Sequence, residues 1–375
     1  MIYFSFIFAN LACIIKPKAM INFLRLKNIR SKTLRIFLIS VMLILIVAGV
    51  ILFNLYTRIF SKNIDLKGET SAYLYIPSSA NQEEVIALLE GQEWLKNSKS
   101  LEWVMNKKNF SNHIYAGRYL IKDGMNNNDL VNLLRSGVQS PIQLTFNNTR
   151  TLEDFAGKIA KQIEADSISL LTALRDEKLI AKYGFKPETV IGMFIPNTYQ
   201  LYWNTNTNEF MDRMYKEYSR FWDADRMRKA EKIGLSPVEV STLASIVDEE
   251  TIKNDEKARV AGVYMNRLNR KIKLDADPTL KFALGDFSIT RVLNKHKKID
   301  SPYNTYKYRG LPPGPIRQAS ISGLNAVLDY EKHKYIYFCA NPDFSGYHIF
   351  ARTLREHNRN ARKYQNELNR RRIMK

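Results

Sequence analysis

Three consecutive acids, Asp248, Glu249 and Glu250, close a segment that reads SPVEVSTLASIVDEET from Ser236 to Thr251. A carboxyl group can give a proton to a leaving oxygen and later take one back if its pKa lies near the working pH. The flanking residues decide which of the three acids is placed for that. Ser236, Pro237 and Glu239 form a capping box with proline at the first helical position, so a helix starts here. Val240, Leu243, Ala244 and Val247 recur at helical spacing and predict its buried face. Glu250 lies about 20° from Leu243 and about 40° from Ile246 around that helix, whereas Asp248 and Glu249 fall well off the stripe. A carboxyl group held against an apolar wall keeps its proton to higher pH. A general acid for glycosidic cleavage needs that property. Helix geometry alone leaves a second reading open, in which Glu250 turns back to solvent or pairs with an arginine.

The elements that must position this helix read as an α+β chain rather than a regular βαβ alternation. Helical patterns run over Leu152–Ile163, Ser167–Arg175, Glu209–Tyr218, Glu239–Glu250, Ala258–Leu268 and Arg352–Arg371, and Tyr335–Ala340 is a β-rich run. Upstream there is an internal repeat with a spacing of 45 residues. Ile76, Asn81 and Leu88-Leu89 match Ile121, Asn126 and Leu133-Leu134, and each unit reads as a strand, a turn and an amphipathic helix with Asn near its N-cap.

The motifs ASIVDEET, ARVAGVYMNRL, LDADPTLKFALG, SPYNTYKYRGLPPGPI and GYHIFARTLREHN follow one another over about 115 residues, with GMFIPNTYQLY upstream. In this order they resemble the endolytic murein transglycosylase (YceG-like) family, from about residue 35 to 370. The second glutamate of that family's Glu-x-Glu-Thr run is catalytic, and the matching position here is Glu250. The family's first glutamate is Asp248 here, its Pro-Asp-Thr-Tyr is Pro196-Asn197-Thr198-Tyr199, and Asp275 stands where the family has Gln. Asn197 cannot ionise, so no acid–base role falls to that motif.

The resemblance implies a lyase that cuts the β-1,4 bond between MurNAc and GlcNAc in nascent glycan strands and leaves 1,6-anhydroMurNAc ends. It also implies a LysM-like subdomain in the repeat region, murein glycan strands as the partner, and no cofactor. Peptidoglycan synthases form a further partner class. Substrate-binding positions would be Asp277, Thr279, Tyr303, Asn304, Thr305, Pro313, Gly314, His348, His357 and Asn358. Asp277 could instead cap the following helix, or serve as a second carboxylate and favour hydrolysis. Leu311–Gly314 could be a purely structural turn, and His348 and His357 could be structural histidines. Two other functions stay open, a noncatalytic wall-binding or division scaffold and a hydrolytic muramidase.

Composition narrows the setting. Residues 36–56 are 21 consecutive uncharged, mostly apolar residues, long enough to cross a hydrocarbon core of roughly 30 Å. Residues 1–35 carry seven Lys/Arg and no acid, so the positive-inside rule puts that end in the cytoplasm and residues 57–375 outside it, on a single-pass anchor in the inner membrane. The organisation expected is a basic segment (1–35, with Met20 a natural start), the anchor (36–56), a connector with the repeat (57–145) and a catalytic domain (146–375). The net charge of +20 is concentrated in that flank and in residues 351–375, which hold nine Lys/Arg against two Glu. Two such blocks, one topogenic and one a terminal helix, argue against nucleic acid as a partner. Cys13 and Cys339 would lie on opposite sides of the membrane, which leaves the outer region no intramolecular disulfide. No Cys/His cluster has metal-ligand spacing.

Overall fold

The computed structural model describes residues 32–147, 149–289 and 292–371. Readings that concern Cys13, Met20 and the basic stretch before Lys32 lie outside the described residues. Helix α1 (Lys32–Phe60) contains the apolar run and extends past both of its ends. It has 29 residues, and none of its most apolar stretch is buried against protein. At 1.5 Å per residue it is roughly 43 Å long. It is the one helix among the described residues long and apolar enough to cross a membrane.

The chain divides into two compact units, one taking residues up to 74, 80–115 and 120–138, the other 75–79, 116–119 and everything from 139. The repeat region runs β1 (Ser71–Ile76), α2 (Gln82–Gly91), α3 (Ser98–Lys107), β2 (Gly117–Lys122) and α4 (Asn127–Ser136). Both repeated strand–turn–helix stretches are present, and their strands pair in one two-stranded sheet. Asn81 and Asn126 cap α2 and α4 by accepting from the backbone N–H groups of Glu84 and Asp129. Those N–H groups have no partner within the helix, so the asparagines specify both starts. In the first unit Val85, Leu89, Leu101, Val104, Leu130 and Leu134 are buried. The buried Asn63 donates to Asn127 at 2.7 Å within it.

The second unit begins with β3 (Ile142–Phe146), α5 (Leu152–Ala160), α6 (Ser167–Arg175), α7 (Glu177–Lys182), β4 (Asn197–Leu201), α8 (Thr207–Phe221) and α9 (Ala224–Lys232). β3 and β4 are antiparallel, with Ile142 opposite Leu201 and Phe146 opposite Asn197. Asn197, Thr198 and Tyr199 of the motif thus lie in a β ladder, and Tyr199 donates its hydroxyl to the Ile195 carbonyl. Phe146, Phe155, Phe194 and Phe210 form the aromatic centre of this core.

The unit continues with α10 (Pro237–Glu250), α11 (Asn254–Asn269), α12 (Asp277–Leu284), α13 (Ile321–Leu328), β5 (Tyr337–Ala340), β6 (His348–Ala351) and α14 (Leu354–Arg370). β5 and β6 form an antiparallel hairpin. The capping box at Ser236 and Glu239 is present as expected. The single apolar stripe is not: Val240 to Val247 are all buried, so α10 is a central helix enclosed on every side. Its polar residues tolerate this because their hydroxyls return to the helix's own carbonyls, Ser241 to Pro237, Thr242 to Val238 and Ser245 to Thr242. Leu243, Val247, Val260, Tyr264, Leu324 and Val327 make the surrounding core with α11 and α13. Gly323 lets α13 approach closely, since a Cβ there would lie 2.6 Å from an Asp248 carboxylate oxygen.

Candidate active site

The last turn of α10 carries the three acids, and the structure separates them by partner rather than by stripe. Asp248, off the apolar stripe by helical spacing, is nevertheless enclosed. Its side chain is 5% exposed and pairs with Lys257 at 2.7 Å, and it accepts from the Ser320 backbone N–H and hydroxyl. Glu249 is likewise held, by Arg150 at 3.0 Å and by Arg317. Glu250 has no cationic partner within salt-bridge distance among the described residues. Its Oε1 accepts one hydrogen bond, 2.6 Å long, from the hydroxyl of Tyr264.

Glu250 is raised from 4.5 to about 7, chiefly by loss of solvation; the Tyr264 hydrogen bond and Lys281 oppose the rise, and the negative charges of Asp277 and Glu249 add to it. A position at the carbonyl end of a helix also disfavours negative charge. Glu250 therefore carries a proton over much of the neutral range and sits where it can release one. Glu250 meets no arginine among the described residues and does not stand free in solvent.

Asp277 is the first residue of α12 and exposed; it does not cap that helix, whose N-cap is Ala276 without a side-chain bond. Tyr306 donates its hydroxyl to the Asp277 carboxylate. The Tyr306 phenol is pushed well up by burial first and then by Asp277, so it stays a donor.

Several residues expected to touch sugar are buried and hydrogen-bonded within the loops. Thr279 and Thr305 are buried and share a 2.8 Å bond, while Thr305 also accepts from the Ala276 N–H. Asn304 is fully buried, donates to the Lys297 and Ile299 carbonyls, and accepts from the Tyr306 and Lys307 N–H groups. Their polar atoms are used in shaping the loop. Gly314 is buried too, and a Cβ there would lie 1.9 Å from the Glu188 carbonyl oxygen, so its role is close packing. Tyr303 is half-buried with its ring 4.7 Å from that of Phe282. Pro313 and Asn358 are exposed.

His348 joins Nδ1 to Glu256 at 2.8 Å, and its backbone N–H donates to the same carboxylate at 2.7 Å. That pair ties the β5–β6 hairpin to the start of α11. The imidazole meets Phe338 edge-on at 5.2 Å, and Phe338 meets Tyr264 edge-on at 5.8 Å. His348 is thus linked to Glu250 through two rings rather than by contact. His357 stacks on Tyr337 at 5.2 Å, and burial followed by the Arg267 charge lowers its pKa. Sequence reasoning missed Tyr264 as a partner of Glu250. The only available signal was its position on the ARVAGVYMNRL helix, one turn after Val260 and Ala261.

Comparison with known proteins gives the class. An endolytic murein transglycosylase of Bacillus subtilis (strain 168) is 30% identical over 326 residues, covering 83% of this chain and 89% of that protein. One of Streptococcus pneumoniae (serotype 2, strain D39) is 26% identical over 338 residues, 81% of this chain and 60% of that protein. The chain is accordingly an enzyme of the lytic transglycosylase type, a lyase. It belongs to the YceG-like family, whose family model matches residues 74–363. A crystal structure of a YceG-like protein from Listeria monocytogenes superposes with a TM-score of 0.53 at 28% identity, covering 77% of this chain and 98% of that one.

Proposed function

We propose that this enzyme cleaves the β-1,4 bond between MurNAc and GlcNAc in nascent peptidoglycan strands and leaves 1,6-anhydroMurNAc ends, terminating or trimming strand elongation. Glu250 is the general acid and then the general base. Its proton goes to the glycosidic oxygen as the bond to C1 breaks. The resulting carboxylate then takes the proton of the muramyl C6 hydroxyl as that oxygen bonds to C1. The single observation that carries this reading is a half-buried acid, raised to about 7, with no ion-pair partner among the described residues and one hydroxyl donor. One group serving in both directions suits a pKa near neutrality. Asp277, Tyr303, Pro313 and Asn358 keep surface that can meet the glycan.

Helix α1 anchors the chain in the inner membrane, with the N-terminus in the cytoplasm and residues from 57 onward outside, where glycan strands and their synthases are. The β1–α2–α3–β2 order of the repeat region supports a LysM-like, glycan-contacting subdomain over 57–145, ahead of a catalytic domain over 146–375. A hydrolytic muramidase is the second reading. It is favoured by Asp277, a carboxylate near enough to influence Glu250, which could activate a water molecule. The test is turnover of purified glycan strands by the full-length chain and by Glu250→Gln. The Gln variant should fold and lose cleavage by a factor of about 10³ or more; cleavage at the parental rate by folded Glu250→Gln removes the assignment.

A further inference from the structure

Tyr264 stands on α11, 2% exposed, with its hydroxyl 2.6 Å from Glu250 Oε1. Phe338 packs edge-on against the ring, at 86° and a centroid distance of 5.8 Å. We propose that Tyr264 is a positioning residue for the reaction: it fixes Oε1, leaves Oε2 to carry the transferred proton, and keeps Glu250 able to give a proton as well as to take one back. The inference rests on the proposed acid–base role of Glu250 and assigns the group that makes both halves of it workable.

Burial alone would keep Glu250 protonated but reluctant to release the proton, because the desolvated carboxylate left behind is disfavoured. A hydroxyl donor stabilises the carboxylate more than the neutral acid and so works against burial. Tyr264 can donate at every working pH, since burial, and then Glu250 itself, pushes its phenol well above the ordinary value. The other charged groups around the pair are mixed in sign. Glu249 on α10 and Asp277 on α12 favour the neutral acid, and Lys281 on α12 favours the carboxylate. Arg267 on α11 and Tyr306 act on the Tyr264 side.

In the neutral acid, the carbonyl-type oxygen is the better acceptor, so a bond to Oε1 puts the proton on Oε2. In the first half the Oε2–H bond breaks, the proton joins the glycosidic oxygen, and the C1–O electron pair leaves with that oxygen. In the second half the C6 oxygen bonds to C1 and its proton returns to Oε2. Tyr264 keeps its own proton throughout.

The experiment measures kcat and kcat/KM against pH on purified glycan strands with the full-length chain, for Tyr264→Phe and for 3-fluorotyrosine placed at position 264. The Phe variant should move the alkaline midpoint up by about one pH unit and lower kcat roughly tenfold. The fluorinated ring, a stronger donor of nearly the same shape, should move the midpoint the other way. A folded Phe variant with the parental profile and kcat overturns the proposal. If the Phe variant does not fold, the fluorinated protein decides alone, and an unmoved midpoint there overturns it. Glu250→Gln in the same assay separates the two ideas. Activity in that variant removes the acid assignment itself, whereas an inactive Gln variant beside unmoved Tyr264 variants removes only the positioning role.

Discussion

Replacing Glu250 with Gln should stabilise the protein at alkaline pH and leave it unchanged in acid. The folded state raises this carboxyl from 4.5 to about 7. Below about pH 4.5 both folded and unfolded chains hold the proton, and the group costs nothing. Between about pH 4.5 and 7 only the folded chain holds it, so stability falls as pH rises. Above about pH 7 the whole penalty is present. At 1.36 kcal/mol per unit the shift corresponds to roughly 3 kcal/mol, reduced to about 2–3 kcal/mol for the surface that Glu250 retains. Glutamine does not titrate, and its amide oxygen can still accept from Tyr264. Urea unfolding of the full-length chain in detergent, followed by tryptophan fluorescence, should show the Gln variant more stable by about 2–3 kcal/mol at pH 8 and equal to the parent at pH 4. An equal advantage at both pH values, or none at pH 8, would refute the claim that burial governs this carboxyl.

Asp248→Asn leaves Lys257 charged and enclosed, so it should cost about 3 kcal/mol in urea unfolding, with cleavage lost only in proportion to the unfolded fraction. Full stability in that variant would show that the pair is not structural. Glu249→Gln leaves Arg150 and Arg317 facing each other and should destabilise by about 1–2 kcal/mol, an effect that salt reduces; salt-independent loss would point to packing instead. Gly314→Ala should sharply reduce the yield of folded protein, because the new methyl meets the Glu188 carbonyl; normal yield would mean that the loop shifts easily. A reporter that works only outside the cytoplasm, fused after Lys375, should be active, and activity of a cytoplasm-only reporter there would reverse the topology.

Features set by neighbours in the chain were legible in the sequence. The Ser236–Glu239 capping box, the Asn81 and Asn126 caps and the apolar run of α1 all depend on residues a few positions apart. Glu250 was singled out by spacing, but the reason differs in the structure. Its distinction lies in lacking an ion-pair partner among the described residues, while Asp248 finds Ser320 from 72 positions away and Glu249 finds Arg150 from 99. Such partners leave no trace in helical periodicity. Thr279, Asn304 and Thr305 illustrate the same limit. Their residue types suit sugar recognition and loop building equally well, and only burial distinguishes the two.

The central claim is tested most directly by mass spectrometry of the ends produced when the full-length chain digests purified glycan strands. Cleavage that depends on Glu250 and leaves 1,6-anhydroMurNAc ends is the result expected. Reducing MurNAc ends that disappear on Asp277→Asn would contradict it and establish hydrolysis through a second carboxylate.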